Sequence, residues 1–120
     1  MVTTPQAAAQ RVAQRSAYAA RKLKLSVRGV IENMSWFTGD DHKRYEIFGS
    51  GGGERLAVDL GVPLLGQIPL EALLREGGDD GRPVIVVAPD SEVAQAFRSL
   101  ATKIASQGPA RVYRQELTLS

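Results

Sequence analysis

Short β-branched and apolar runs alternate along this chain with stretches whose apolar positions recur every three or four residues, and this alternation limits the fold more than any other feature. Two strands that pair in parallel need a crossover between them, and a helix is the usual one. The order therefore predicts an α/β fold, a partial parallel sheet flanked by helices. Residues 1–6 read as the end of a strand entering a helix, with Thr4 as N-cap and Pro5 at the first helical position. That helix is expected to run to about Lys24, with Ala8, Val12, Ala19 and Leu23 as its apolar stripe. Residues 26–31 follow as a buried strand, ending at Glu32-Asn33-Met34-Ser35, and residues 38–44 as a polar loop. The cluster Gly49-Ser50-Gly51-Gly52-Gly53 feeds a short helix over 54–60, stopped at Gly61. A strand at 63–69 is bracketed by prolines, and one or two helical turns span 71–76 before a break at 77–81. Residues 84–88 read as another strand. Ser91 and its neighbours cap a long helix whose stripe is Val93, Ala94, Phe97, Leu100, Ala101 and Ile104. Three full strands and the end of one fall short of the about five or more of a complete doubly wound sheet. The domain is expected over 1–107, with an irregular tail over 108–120.

Composition excludes several chemistries. The 120 residues contain no cysteine, so thiol nucleophiles, thiolate zinc sites and thiolate ligation of iron-sulfur clusters by this chain are ruled out. The lack of cysteine also fits a reducing compartment, and a cytoplasmic location is the expectation. The longest apolar run, Val84-Ile85-Val86-Val87-Ala88, is far short of the roughly 20 residues that span a bilayer, so a soluble protein without membrane contact is expected. Charge is unevenly spread. Arg11, Arg15, Arg21, Lys22, Lys24 and Arg28 precede the first acidic residue, Glu32, which gives +6 for residues 1–31 and −4 for the rest. A solvated basic flank on an ordinary helix explains the pattern. A phosphate-backbone contact or an organellar transit segment would carry the same composition.

The glycine cluster invites a phosphate-loop reading, because successive backbone N–H groups at a helix start can cradle an anion. The residues after Gly53 are Glu54 and Arg55 rather than Lys and Ser or Thr, so a flexible entry to a helix fits better. His42, the only histidine, stands beside Asp40 and Asp41 in one loop, whereas a metal centre draws ligands from separate parts of a fold. No Ser/His/Asp constellation is supported, and no catalytic or metal-ligating residue is assigned. Asn33 stands just past a strand at the carboxyl edge of the sheet, where ligands of open α/β sheets bind, and its amide offers a donor and an acceptor to a purine edge. Pro69 occupies the equivalent end of the next strand. A turn Asn and a turn Pro account for the same two positions.

Three ordered segments, Gly29-Val30-Ile31-Glu32-Asn33-Met34-Ser35, Tyr45-Glu46-Ile47-Phe48-Gly49-Ser50-Gly51-Gly52-Gly53 and Val62-Pro63-Leu64-Leu65-Gly66-Gln67-Ile68-Pro69-Leu70, carry a family likeness. The chain resembles the carboxyl-terminal half of the Mrp-type iron-sulfur carrier ATPases, in the MinD-like branch of P-loop proteins. The likeness begins at Val2-Thr3-Thr4-Pro5-Gln6 and continues to about residue 105. It implies the carboxyl-terminal portion of a MinD-like P-loop fold, and an ATP-binding, ATP-hydrolysing homodimer that passes an iron-sulfur cluster to apo-proteins. By the same resemblance Asn33 lies near the adenine, and Gln67 and Pro69 line its pocket. In such proteins the phosphate-binding loop and the magnesium-serving Asp lie upstream of the Val-Thr-Thr-Pro-Gln motif, at which this sequence starts. The chain is therefore expected to be part of such an ATPase, inactive in hydrolysis by itself, and to form a homo-oligomer or join the amino-terminal half. Many members also carry a Cys-x-x-Cys pair where this chain reads Thr38-Gly39-Asp40-Asp41-His42-Lys43-Arg44. No thiolate there can hold a cluster. The alternative is a non-enzymatic module using the basic helix 5–24 to contact nucleic acid or an acidic partner. A cluster-free nucleotide switch is a third reading.

Overall fold

A computed structural model describes residues 1–109 of the chain; of the tail expected over 108–120, residues 110–120 lie outside them. Three parallel strands form the sheet in the order β1, β2, β5, where β1 is Val2–Thr3, β2 is Val30–Glu32 and β5 is Leu64–Gln67. Val2 pairs with Ile31 and Thr3 with Glu32; Val30 pairs with Leu64 and Glu32 with Gln67. Helix α1, Ala7–Lys22, crosses from β1 to β2, and α2, Gly52–Leu60, crosses from β2 to β5. The remaining helices follow β5: α3 is Ala72–Asp80, α4 is Val84–Val87 and α5 is Glu92–Ser106. The expected polar loop is a two-stranded antiparallel hairpin, with β3 at Phe37–Thr38 and β4 at Arg44–Tyr45.

Strand alternation distributes the core onto both faces of the sheet. Val30 and Leu64 pack with Ala13 of α1 and Leu56 and Ala57 of α2. Ile31 and Leu65 pack on the other face with Val84 of α4 and Val93 and Leu100 of α5. Among the described residues no helix is long and apolar enough to cross a membrane.

Several expectations are corrected. Thr4 does not cap α1. The N-cap residue is Gln6, without a side-chain cap bond, and the helix ends at Lys22. Ala8, Val12, Ala19 and Leu23 all face solvent, and the buried positions are Ala13 and Ala17, because only small residues fit where α1 approaches the sheet and α2. Residues 26–29 are outside the strand, whose pairing starts at Val30. Residues 84–88 are a helical turn and not a strand: Val86 and Val87 donate backbone N–H bonds to the Pro83 carbonyl and Ala88 donates to that of Val84. Only Val84 of that helix is buried, and among the described residues the segment pairs with no strand. Helix α3 runs through residues 77–80 of the expected break and stops at Gly81. Gly77 is required there because a Cβ on it would come within 2.3 Å of the Arg82 carbonyl oxygen as the chain turns back.

Ser91 caps α5 as expected, accepting from the Ala94 N–H at 3.2 Å while its hydroxyl donates to the Ala88 carbonyl at 2.7 Å. Ser91→Ala should lower unfolding free energy by about 1 kcal/mol, read from urea denaturation at constant slope.

Candidate functional site

The carboxyl ends of β2 and β5 lead into two segments that run side by side past the sheet. Ile68 N–H donates to the Glu32 carbonyl at 2.8 Å, Ser35 N–H to the Ile68 carbonyl at 3.0 Å, and Leu70 N–H to the Trp36 carbonyl at 2.7 Å. Asn33 is fixed in the same way, its N–H donating to the Thr3 carbonyl at 2.7 Å. The Asn33 side-chain oxygen accepts from the Met34 N–H at 2.9 Å, which supports Met34 in a left-handed conformation at φ 55°. A non-glycine residue at positive φ stores strain, and such strain is concentrated at functional positions.

Beside this turn lies a cleft of about 160 Å³ lined by Asn33, Met34, Pro69, Leu70, Glu71, Leu74 and Arg75. The fold thus brings Asn33 and Pro69 to one cleft, walled mainly by apolar side chains. Among the described residues the Asn33 amide nitrogen has no acceptor, and its oxygen keeps a second lone pair. Gln67 stands elsewhere. It lines a second, polar cleft of about 340 Å³ together with Glu32, Ser35, Trp36, Arg44, Ser50 and Gly51. There its amide nitrogen donates to Glu32 Oε1 at 3.2 Å.

Glu32 has a role that its position in the sequence does not announce. This carboxylate is only 1% exposed, and its Oε2 accepts from the Gly53 N–H at 2.6 Å. The glycine cluster therefore does donate to an acceptor at the start of α2, but the acceptor is a side-chain oxygen of the protein itself. Close approach explains the glycines: a Cβ on Gly53 would stand 2.8 Å from the Glu32 Cβ, and one on Gly52 would stand 2.4 Å from the Pro5 carbonyl oxygen. An acid at the end of a buried strand, followed some twenty residues later by Gly-Gly at a helix start, is the signal that could have found it.

His42 sits exposed at the hairpin turn at φ 61°. Among the described residues no group of three or more His, Cys, Asp or Glu side chains converges as a metal site would require. Asp41 is held below the usual carboxylate range, first by the Tyr45 hydroxyl and then by the Lys43 N–H, and the same contact raises Tyr45. A lowered carboxylate lends stability above its ordinary range and loses it as acid protonates it; a raised phenol loses its share only in alkali. The lock at the hairpin turn therefore spans neutral pH. Arg11, Arg15, Arg21, Lys22 and Lys24 face solvent, and no salt bridge among the described residues involves them.

Comparison with known proteins agrees with this architecture. A family model described as ParA, NUBPL iron-transfer P-loop NTPase, matches residues 1–105. An iron-sulfur cluster carrier protein of Synechocystis sp. is 44% identical over 109 residues, covering 89% of this chain and 31% of that protein. A protein of the same name from Mycobacterium bovis is 42% identical over 113 residues, covering 89% of this chain and 30% of that one. The chain thus spans about a third of the length of these curated relatives. Among solved structures, the septum site-determining protein MinD of Pyrococcus horikoshii, complexed with Mg-ADP, superposes with a TM-score of 0.68 at 26% identity. The superposition covers 88% of this chain and 41% of that one.

Proposed function

Because the chain belongs to the family of NUBPL iron-transfer P-loop NTPases, we propose that it supplies the adenine side of the nucleotide site of an iron-sulfur cluster carrier. The observation that carries this reading is the cleft between Asn33 and Pro69 at the carboxyl edge of the parallel sheet, where open α/β folds bind their ligands. The donors of the Asn33 amide, which have no acceptor among the described residues, and the second lone pair of its oxygen suit the ring nitrogens and exocyclic amine of adenine, and Met34, Leu70 and Leu74 offer the apolar walls that a flat base prefers. Gln67 acts one step back, holding Glu32 and through it the glycine segment.

The phosphates are a separate matter. The 120 residues contain no Gly-x-x-x-x-Gly-Lys-Ser/Thr loop, and the Gly53 N–H is already taken by Glu32. Phosphoryl transfer needs a lysine, backbone donors and a metal ion to neutralise developing charge. The 120-residue chain should therefore bind ADP weakly and release no phosphate from ATP. Titration calorimetry with ADP, paired with a phosphate-release assay, tests both halves. Asn33→Ala should weaken ADP binding roughly tenfold, for the loss of about 1 to 1.5 kcal/mol of hydrogen bonding. Turnover above a matched blank, or equal affinity in the variant, would contradict the proposal. In this reading the cluster is cargo destined for apo iron-sulfur proteins, and the protein works as a homo-oligomer in the cytoplasm. The relatives' names and the MinD-like fold support the carrier role and its nucleotide dependence.

A further inference from the structure

We propose that Glu92 clamps the hairpin of β3 and β4 in a shape that needs no metal, so that this hairpin does not grip an iron-sulfur cluster. The carrier reading above gives the inference its relevance, since the resemblance puts cluster ligands of related carriers in the interval 38–44. The donor set here does not fit a cluster. No thiolate exists anywhere in the sequence, and the hairpin offers only Asp40, Asp41 and His42. Both oxygens of Asp41 are occupied, Oδ1 by the Lys43 N–H at 3.0 Å and Oδ2 by a short bond from the Tyr45 hydroxyl.

A hairpin with two residues per strand is marginal in water, so something beyond its own ladder must fix it. The Glu92 carboxylate at the first turn of α5 does so. Its Oε1 accepts from Trp36 Nε1 at 3.0 Å and from Arg44 Nη2 at 3.3 Å, and its Oε2 accepts from the Thr38 hydroxyl at 3.0 Å. Trp36 and Thr38 belong to one arm of the hairpin and Arg44 to the other, so a single carboxylate ties both. The Arg44 guanidinium also stacks over the Trp36 ring, 4.0 Å from its centre. An isolated exposed ion pair is worth little, but three charge-assisted bonds converging on one helix N-terminus, where negative charge is favoured, make a defined anchor. In this chain a carboxylate occupies the structural role that a metal would otherwise take, and the arm is insensitive to iron and to redox state.

Trp36 is the only tryptophan, so its emission reports the clamp directly. In the 120-residue chain, anaerobic addition of ferrous iron and sulfide, or of a chelator, should leave both Trp36 emission and amide exchange at Gly39 and His42 unchanged. Glu92→Ala should red-shift the emission and speed those two amides roughly tenfold, with far-UV dichroism preserved. Glu92→Gln, which keeps one oxygen acceptor and loses the charge, should fall between. If Glu92→Ala proves poorly folded, Arg44→Ala and Thr38→Val, which remove one tie each, should each give a smaller shift of the same sign. Cluster absorbance appearing without any change in Trp36 would agree with a cargo site outside the hairpin. Stoichiometric quenching of Trp36 by iron and sulfide, or unchanged emission and exchange across the Glu92 variants, would overturn the proposal. Neither outcome depends on nucleotide binding at Asn33, so this test and that of the adenine site fail separately.

Discussion

Leu56→Ala should destabilise the protein by about 4 kcal/mol, toward the upper part of the range for buried leucines. Leu56 is 0% exposed and fills the junction of α1, α2 and the sheet, touching a cluster that includes Ala13, Val30 and Ala57. Two of those neighbours are alanines. They carry no side-chain length that could swing into the vacated space, so most of the cavity would persist and the cost of the cavity adds to the lost transfer free energy. A domain of this size has only about 5 to 15 kcal/mol in total, so the variant should denature at a much lower urea concentration with little change in slope. A loss below about 1 kcal/mol would mean that α1 and α2 do not share the core described above.

Glu32→Ala should cost about 2 to 3 kcal/mol and loosen the start of α2. The substitution strips the acceptor from the Gly53 N–H in a buried location, where an unpaired donor bears its full desolvation cost. It also releases Gln67, but that side chain is exposed and can turn to water, so its share is small. Relief from burying a carboxylate works in the opposite direction, which keeps the expected loss below that of Leu56→Ala. Glu32→Gln discriminates the contributions. Its oxygen can still accept from Gly53, while its amide would face the Gln67 amide donor to donor unless one of them flips. It should retain most of the stability and restore slow amide exchange at Gly53. If alanine and glutamine variants were equally stable as the parent, the latch between strand end and glycine segment would have no energetic content.

The elements most readable from the sequence were those with strong local signals. Gly61 ends α2 and Ser91 caps α5 where expected, and the alternation of elements gave the parallel α/β arrangement that the MinD-like neighbours share. What escaped was set by tertiary context. Five consecutive apolar residues, Val84 to Ala88, read as a strand by β-propensity, but packing of Val84 against α5 and the Pro83 carbonyl decides for a helical turn. The helical spacing of Ala8, Val12, Ala19 and Leu23 pointed to the wrong face of α1, because its seven alanines stand all round the helix and the contact with the sheet and α2 selects Ala13 and Ala17. The hairpin clamp was invisible for a different reason. Glu92 lies about fifty residues beyond Trp36, Thr38 and Arg44, and no periodicity connects them. That Asn33 and Pro69 share the carboxyl edge of the sheet was legible from their strand-end positions, whereas the separation of Gln67 into a second cleft required coordinates.

The central claim, that residues at the ends of β2 and β5 form the adenine side of a nucleotide site, is tested most directly by following backbone amide resonances of the ¹⁵N-labelled chain during titration with adenosine and, separately, with inorganic pyrophosphate. Adenosine should shift Asn33, Met34, Leu70 and Arg75, the residues around the smaller cleft, and pyrophosphate should leave them in place. Shifts confined to the glycine segment at Gly51 and Gly53, or a response to pyrophosphate and none to adenosine, would contradict the account.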